Sequence, residues 1–193
     1  MRGGVVDKQI DGSTIESDSS VIFVLDRDLR LRLCNAAWDR FARENGGALL
    51  LRQSILGRPI FDFISGALAE HYSRVFRQTL QGESVWRQDY ECSSAEKSRR
   101  FSMHIYPVHG ELMIVNSLVL ETPHDRVASL SGEAEYRSGN GILLMCSNCR
   151  RTKTRAPSER WDWAPGFVAS PPANVSHGLC PPCYEYYSSL LID

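Results

Sequence analysis

Residues 29–38 read LRLRLCNAAW, and the spacing of the apolar residues changes in the middle of this stretch. Leucine and arginine alternate over the first five positions, as in a half-buried strand. Asn35 then stands at a typical helix N-cap position, and apolar residues recur at helical spacing over residues 36–42 until Asn45-Gly46-Gly47 ends the pattern. Upstream, across a charged turn signal, Val21–Leu25 is a short apolar run rich in β-formers. Together these features predict a β-hairpin that leads directly into a helix.

The remainder of the N-terminal two thirds continues the same kind of fold. The pattern predicts a turn and short helix at 55–64, a longer helix at 67–80, and strands at 85–92, 99–108 and 112–120. One stripe of the longer helix carries its apolar side chains, Leu68, Tyr72, Val75, Phe76 and Leu80. The order β-β-α-α-α-β-β-β predicts the α+β class, with one five-stranded antiparallel sheet covered on a face by short helices.

The C-terminal quarter contains two Cys-x-x-Cys pairs, Cys146 with Cys149 and Cys180 with Cys183. Each pair directs two sulfurs to one point, and two pairs supply the four soft ligands of a closed tetrahedral zinc site. The gap between the pairs is longer than in a compact zinc ribbon, so we expect it to hold structure of its own. Redox chemistry and disulfides are the alternatives, but a thioredoxin-like motif belongs beside a βαβ pattern that is absent here. The spacing therefore predicts a small C-terminal module built around structural zinc.

His177 lies three residues before the second pair. Its ring could replace one cysteine as a zinc ligand, or it could donate an N–H to a cysteine sulfur from outside the ligand set. Because four cysteines already complete a closed site, we favour the second role. A histidine that simply occupies a turn is the alternative.

Composition and charge limit the possible functions. The chain has 193 residues, 42% hydrophobic and 23% charged, with 22 basic and 23 acidic residues, which is typical of a soluble globular protein without a polyanion partner. No apolar run approaches a membrane span and no signal peptide is recognisable, so we expect a cytoplasmic protein, where thiols stay reduced. We predict a flexible leader at 1–19, a main domain at 20–121, a linker at 122–140 and the zinc-binding module at 141–193.

The order of elements, with Cys34-Asn35-Ala36-Ala37-Trp38 at the strand-to-helix junction and Leu56-Gly57-Arg58-Pro59 before the long helix, resembles the PAS domain family over residues 20–121. This resemblance implies a five-stranded sheet that encloses a small ligand or cofactor and passes signals through its flanking segments. The C-terminal part, with Ser176-His177-Gly178-Leu179-Cys180-Pro181-Pro182-Cys183, resembles metal-binding tails of bacterial signalling proteins.

The sequence does not identify a ligand for the PAS-like domain. Haem would require an axial ligand, and His71 is the histidine whose helical position resembles that in haem-binding PAS domains. Its neighbours Glu70, Ser73 and Arg74 are polar, which predicts a histidine that faces solvent instead. The chain contains no phosphate-binding glycine loop, no nucleophile elbow and no open metal site, so we expect no enzymatic activity.

We therefore predict a sensory or interaction protein that carries structural zinc and acts through a protein partner. One alternative is a transcription-associated protein whose basic residues contact nucleic acid, namely Arg150, Arg151, Lys153 and Arg155; another is a thiol redox sensor that releases zinc on oxidation. The outward face of the sheet is predicted to carry Tyr106, Leu112, Ile114 and Asn116. That face is too apolar to remain bare, so either the leader or the zinc module covers it within one chain, or a second chain does. We favour a symmetric homodimer.

Overall fold

The computed structural model describes residues 10–82, 84–155 and 160–190. The chain forms two compact units. The first comprises the chain up to Phe63, together with Ser73–Gln88 and Ser102–Ser117. The second comprises Ile64–Tyr72, Asp89–Phe101 and the chain from Leu118 onward.

Six α-helices and nine strands are found within the described residues. The helices are α1 Gly12–Ile15, α2 Ala36–Glu44, α3 Arg52–Ile55, α4 Gly66–Gln81, α5 Pro165–Ala169 and α6 Pro181–Ser189. The strands are β1 Val21–Leu25, β2 Leu31–Cys34, β3 Trp86–Glu91, β4 Lys97–Val108, β5 Glu111–Pro123, β6 Leu143–Cys146, β7 Thr152–Lys153, β8 Trp161–Asp162 and β9 Val175–Gly178. Short 3₁₀ turns lie at Ala48–Leu50, Ile60–Asp62 and Glu133–Glu135.

The strands form two sheets. The five-stranded sheet has the order β2-β1-β5-β4-β3, and the four-stranded sheet has the order β8-β7-β6-β9. The predicted α+β class, with a five-stranded sheet, helices and a small C-terminal module, is confirmed. No helix in the described part of the chain is both long and apolar enough to cross a membrane.

Asn35 explains why the stretch 29–38 folds as predicted. Its buried side-chain oxygen accepts the N–H groups of Ile22 (3.1 Å) and Trp38 (3.2 Å), so it joins β1 to the first turn of α2. Its amide nitrogen donates to the carbonyl oxygens of Ser20 (2.9 Å) and Ile15 (3.2 Å). One side chain thus acts as the helix cap and also satisfies buried backbone groups of the incoming chain.

The predicted outward face of β5 is wrong. Leu112 and Ile114 are fully buried, and Asn116 is almost completely buried. The opposite phase of the strand carries Met113 and Val115, which are only partly buried. Both phases of this strand are apolar, so alternation alone could not tell which side faces the core.

The other face of β5 is covered from within the same unit. Helix α1 places Ile15 against Ile22 and Val24, and Ile10, Met113 and Val115 pack around this cluster. The N-cap of α1 is Asp11, whose carboxylate accepts the N–H of Ser13 at 3.0 Å. This helix lies within the predicted leader, whose first nine residues are outside the described part of the chain.

Candidate metal centre

The small sheet of the second unit brings the two cysteine pairs together. Strands β6 and β9 are parallel, and their register places Cys146 opposite Gly178. Strand β6 ends at Cys146, and β9 leads two residues later to Cys180, which is the N-cap residue of α6. Parallel strands point the same way, so both chain segments leave the sheet at one edge, and the cysteine turns meet there.

The four predicted cysteines, Cys146, Cys149, Cys180 and Cys183, form one buried group. Their sulfur atoms all lie within 4.8 Å of one another, and the Sγ atoms of Cys149 and Cys180 are 3.6 Å apart. Sulfurs bound to zinc at about 2.3 Å in a tetrahedron stand about 3.8 Å from each other. The spacing therefore fits a tetrahedral ion such as zinc, with Trp161 and Leu179 packed against the group.

Backbone hydrogen bonds shape the first cysteine turn. The N–H of Cys146 donates to the carbonyl of Arg151 (2.8 Å), and the N–H of Arg150 donates to the carbonyl of Cys146 (3.1 Å). Arg150 adopts a left-handed conformation with φ of 62°, which is uncommon outside glycine, asparagine and aspartate. The turn is therefore held by its closing hydrogen bonds and not by a residue that prefers this conformation.

Donors also surround the sulfur atoms. The backbone N–H of Cys180 donates to the Sγ of Cys146 at 3.4 Å, and the Nδ2 of Asn148 donates to the Sγ of Cys183 at 3.3 Å. Such donors stabilise thiolates, which are the form that binds metal. Hydrogen bonding with Cys149 lowers the pKa of Cys146, and hydrogen bonding with Cys146 raises the pKa of Cys180. By themselves the thiols would share protons, and a divalent cation would displace these protons when it binds.

The structure does not bring His177 into this group. The residue lies on β9 with its side chain exposed, paired through its backbone with Met145. The ligand atoms that come together are four sulfurs, with no histidine nitrogen among them. Of the predicted site residues, the four cysteines are therefore adjacent and His177 stands apart.

The segment Arg150–Arg155, predicted as an alternative nucleic-acid contact, is not uniformly open. Arg150, Arg151 and Lys153 are half-buried, and Arg155 is exposed. The Nη1 of Arg151 points to the Sγ of Cys149 at 3.9 Å, and the backbone N–H of Arg155 donates to the carbonyl of Glu135 at 2.8 Å. The side chain of Arg151 is thus oriented by the cysteine group.

His71 does not face solvent, which contradicts the prediction. It is only 3% exposed, and its ring meets the rings of Tyr72 and Tyr187 edge-on, each at 5.0 Å. Its polar neighbours Glu70 and Arg74 are the residues that face outward. The buried positions of α4 are 71, 72, 75, 76 and 79, so three of the five predicted positions are buried, and positions 71 and 79 replace 68 and 80.

Asn148 and Arg126 are functional candidates that the sequence analysis missed. The Oδ1 of Asn148 accepts the backbone N–H of Glu91 (3.0 Å) and the hydroxyl of Tyr187 (3.4 Å). Arg126 donates from Nη2 to both carboxylate oxygens of Glu91 at 2.7 Å, and from Nη1 to the carbonyl of Cys149 at 2.7 Å. Arg126 also stands over the ring of Trp163, 5.1 Å from its centroid. Neither residue could be recognised from the sequence. Asn148 occupies a position of a Cys-x-x-Cys pair that the motif does not specify, and Arg126 lies in the predicted linker.

Comparison with known proteins extends the fold assignment. The model of the PAS fold family matches residues 15–119, which is more than half of the chain. No curated protein matches this sequence.

Several solved structures are similar to the chain. The PAS domain of the RpfR quorum-sensing receptor from Cronobacter turicensis, in complex with C12:0, is 21% identical with a TM-score of 0.42, over 55% of this chain and 99% of that one. The PAS domain of BvgS from Bordetella pertussis is 16% identical with a TM-score of 0.36, over 52% and 73%. The PAS domain of nitrogen regulation protein NR(II) from Vibrio parahaemolyticus is 12% identical with a TM-score of 0.38, over 58% and 100%.

Proposed function

The chain belongs to the PAS fold family, and from this premise we propose that it is a sensory or interaction protein whose C-terminal module is held by structural zinc. The observation that carries the proposal is the group of four buried sulfurs within 4.8 Å of one another. Thiolates select zinc over hard cations such as magnesium or calcium. The proposal gives the protein a binding role and no catalytic one.

The donor set supports a structural role for the metal. Four cysteine ligands complete the tetrahedral shell of zinc, so no coordination position remains for water or a substrate. The described ligand group contains no histidine or carboxylate that could serve as a general base. A closed shell of this kind stabilises a fold and does not activate a reactant.

The module is small, so a metal would contribute much of its stability. Within the described residues, its apolar cluster contains three buried side chains of the module, Leu143, Met145 and Ala164, together with Tyr136 from the segment before it. Segments with so little core usually depend on metals or disulfides for stability. Structural zinc contributes about 10–16 kcal/mol of apparent binding free energy in finger peptides, most of it folding free energy. We infer that zinc is what makes this module stable.

The signalling part of the proposal follows from the family. A PAS domain without a catalytic output would act on a protein partner through a conformational change, and a two-fold homodimer is the assembly we propose. We propose a reducing compartment such as the cytoplasm, because zinc binding requires thiols that stay reduced. Any small ligand of the domain would be identified by its mass in the purified protein.

Native mass spectrometry of the full chain, purified from its own host, tests these proposals together. We expect one zinc per chain and a dimer mass, with any retained ligand visible as extra mass. X-ray absorption should find four sulfurs around the metal. Replacing Cys149 by serine should abolish zinc binding, whereas the matched control Cys92→Ser, outside the group, should keep it. Less than half an equivalent of zinc in the gently purified wild type would contradict the proposal.

A further inference from the structure

The end of strand β3 is covered by side chains that flank the metal centre. This strand is the last in the order of the five-stranded sheet, so within the described part of the chain one of its edges has no neighbouring strand. The N–H of Glu91 donates to the Oδ1 of Asn148 at 3.0 Å, and the carbonyl of Asp89 accepts the hydroxyl of Tyr186 at 2.6 Å. Alternate residues of a strand direct their backbone groups to the same edge. Two side chains of the second unit therefore form hydrogen bonds with backbone groups at the edge of β3 that has no neighbouring strand.

Asn148 connects this strand edge directly to a metal ligand. The Nδ2 of its amide donates to the Sγ of Cys183, while the Oδ1 of the same amide accepts from Glu91. A thiolate bound to a cation is a good hydrogen-bond acceptor, which fixes the amide with its nitrogen toward the sulfur. Four metal–sulfur bonds would fix the positions of the two cysteine turns, so the loss of metal would free the Cys183 sulfur that orients Asn148.

Two further contacts join the same elements. Arg126 binds the carboxylate of Glu91 and the carbonyl of Cys149, so it ties the cysteine turn to β3 a second time. Tyr187 on α6 hydrogen-bonds to Tyr72 and packs edge-on against His71, both at the start of α4.

The start of α4 also approaches β9. A Cβ atom on Gly66 would stand 3.3 Å from the carbonyl oxygen of His177, and Gly66 has a φ of 61°. Only glycine adopts this conformation without strain while permitting such a close backbone approach. The first turns of α4 are therefore in contact with the strand that delivers the second cysteine pair.

We propose that metal occupancy of the four-cysteine centre controls the order of the end of β3 and the first two turns of α4, and that Asn148 transmits this control. This inference rests on the proposed zinc site. Under this proposal the metal affects more than the C-terminal module. Residues 64–72 and 89–101 belong to the same compact unit as the cysteines and also lie within the PAS fold. Loss of zinc, by chelation or by thiol oxidation, would then change elements of the sensory domain.

Amide hydrogen exchange measured by nuclear magnetic resonance on the full chain tests the proposal. The protein is compared with zinc bound and after removal of the metal by a chelator under reducing conditions. We expect the amide of Glu91 and the amides of residues 70–72 to exchange at least about tenfold faster without metal, a change that corresponds to about 1.4 kcal/mol. Amides of β1, in the interior of the sheet and in the other compact unit, should keep their rates.

Two pairs of variants separate transmission from general destabilisation. Asn148→Ala should bind zinc yet exchange fast at Glu91 whether or not metal is present, whereas Asn140→Ala, an exposed asparagine of the same unit, should behave as wild type. Tyr187→Phe should reduce the effect of metal at residues 70–72, and its control Tyr184→Phe removes an exposed hydroxyl from the same helix.

The outcomes distinguish this inference from the proposed zinc site. If zinc is bound and its removal leaves Glu91 and residues 70–72 unchanged, the coupling is wrong and the structural zinc stands. If Asn148→Ala keeps the full response to metal at Glu91, Asn148 is not the transmitting residue. If mass spectrometry finds no metal bound to the wild type, the zinc site fails and the coupling fails with it.

Discussion

The pair formed by Arg126 and Glu91 offers a sharp test of how the cysteine turn is held. Arg126→Ala removes two hydrogen bonds to the carboxylate and one to the carbonyl of Cys149, all at 2.7 Å. The two side chains are 15% and 22% exposed, so the pair lies between the surface and the interior. Breaking this pair should therefore cost more stability than breaking an exposed pair, which costs about 0.2–1 kcal/mol, and less than breaking a fully buried pair, which costs about 3–5 kcal/mol.

The expected cost of Arg126→Ala is about 2–3 kcal/mol, between these two limits, because it leaves the partly buried carboxylate of Glu91 without its charged partner. Glu91 keeps one contact, because the hydroxyl of Ser93 donates to its Oε1 at 2.6 Å. Native-state hydrogen exchange at the amides of Cys146 and Thr154 reports the local opening of the module. At about 1.4 kcal/mol per tenfold, these amides should exchange about 30–150 times faster in the variant.

A double-mutant cycle with Glu91→Gln isolates the pair. We expect a coupling energy of about 1–2 kcal/mol between positions 126 and 91, in the range measured for contacting residues. The exposed pair Arg58 and Asp62, at 50% and 39% exposure, is the matched control and should couple by less than about 0.5 kcal/mol. If the coupling energy at Arg126 and Glu91 is no larger than that of the control, the role given to Arg126 is wrong.

Four further predictions concern the rest of the chain. Asn35→Ala should lower the free energy of unfolding in urea by about 2–4 kcal/mol, because several backbone groups lose a buried partner; a loss below about 1 kcal/mol would refute the cap described above. Burial raises the pKa of the Cys34 thiol from 9.0 to about 12, so stability should fall as the pH rises from about 9 to 12, where only the unfolded thiol ionises, and Cys34→Ala should make that fall less steep. Cys180→Ser should lose zinc and admit protease cleavage within residues 141–190, while Cys92→Ser resists it. Light scattering should give a dimer mass at micromolar concentration, and a monomer mass would exclude the proposed assembly.

The stretch around Asn35 could be predicted because its determinants are local. The period of the apolar residues, the N-cap and the Asn45-Gly46-Gly47 stop all act within a few residues, and each agreed with the others. The helix begins at Ala36 and ends at Glu44, as the caps indicated. What the sequence did not indicate is that the Asn35 amide also binds Ile15 and Ser20, since that contact depends on where the preceding chain passes.

The face of β5 could not be predicted because its sequence does not alternate. Residues 112–115 are Leu, Met, Ile and Val, so either phase could be the buried one. The choice depends on α1, whose Ile15 packs against Ile22 and Val24, next to Met113 and Val115. A surface considered bare is thus covered within the same compact unit. A dimer would therefore have to bury other apolar residues, such as Leu118, Val119 and Leu120, which are about half exposed.

In the candidate metal centre, the four cysteines could be predicted from the sequence, whereas Asn148 could not. Four thiols in two pairs can be recognised in the sequence, because a tetrahedral zinc site restricts both the residue type and the spacing. Asn148 occupies a position between them where the ligand geometry accepts many side chains, and its partner Glu91 is 57 residues away in the sequence. Only the fold reveals that this amide lies between a sulfur and a strand edge. The sequence therefore identifies the four cysteines that could bind a metal, whereas the contact between Asn148 and Glu91 follows from no local pattern in the sequence.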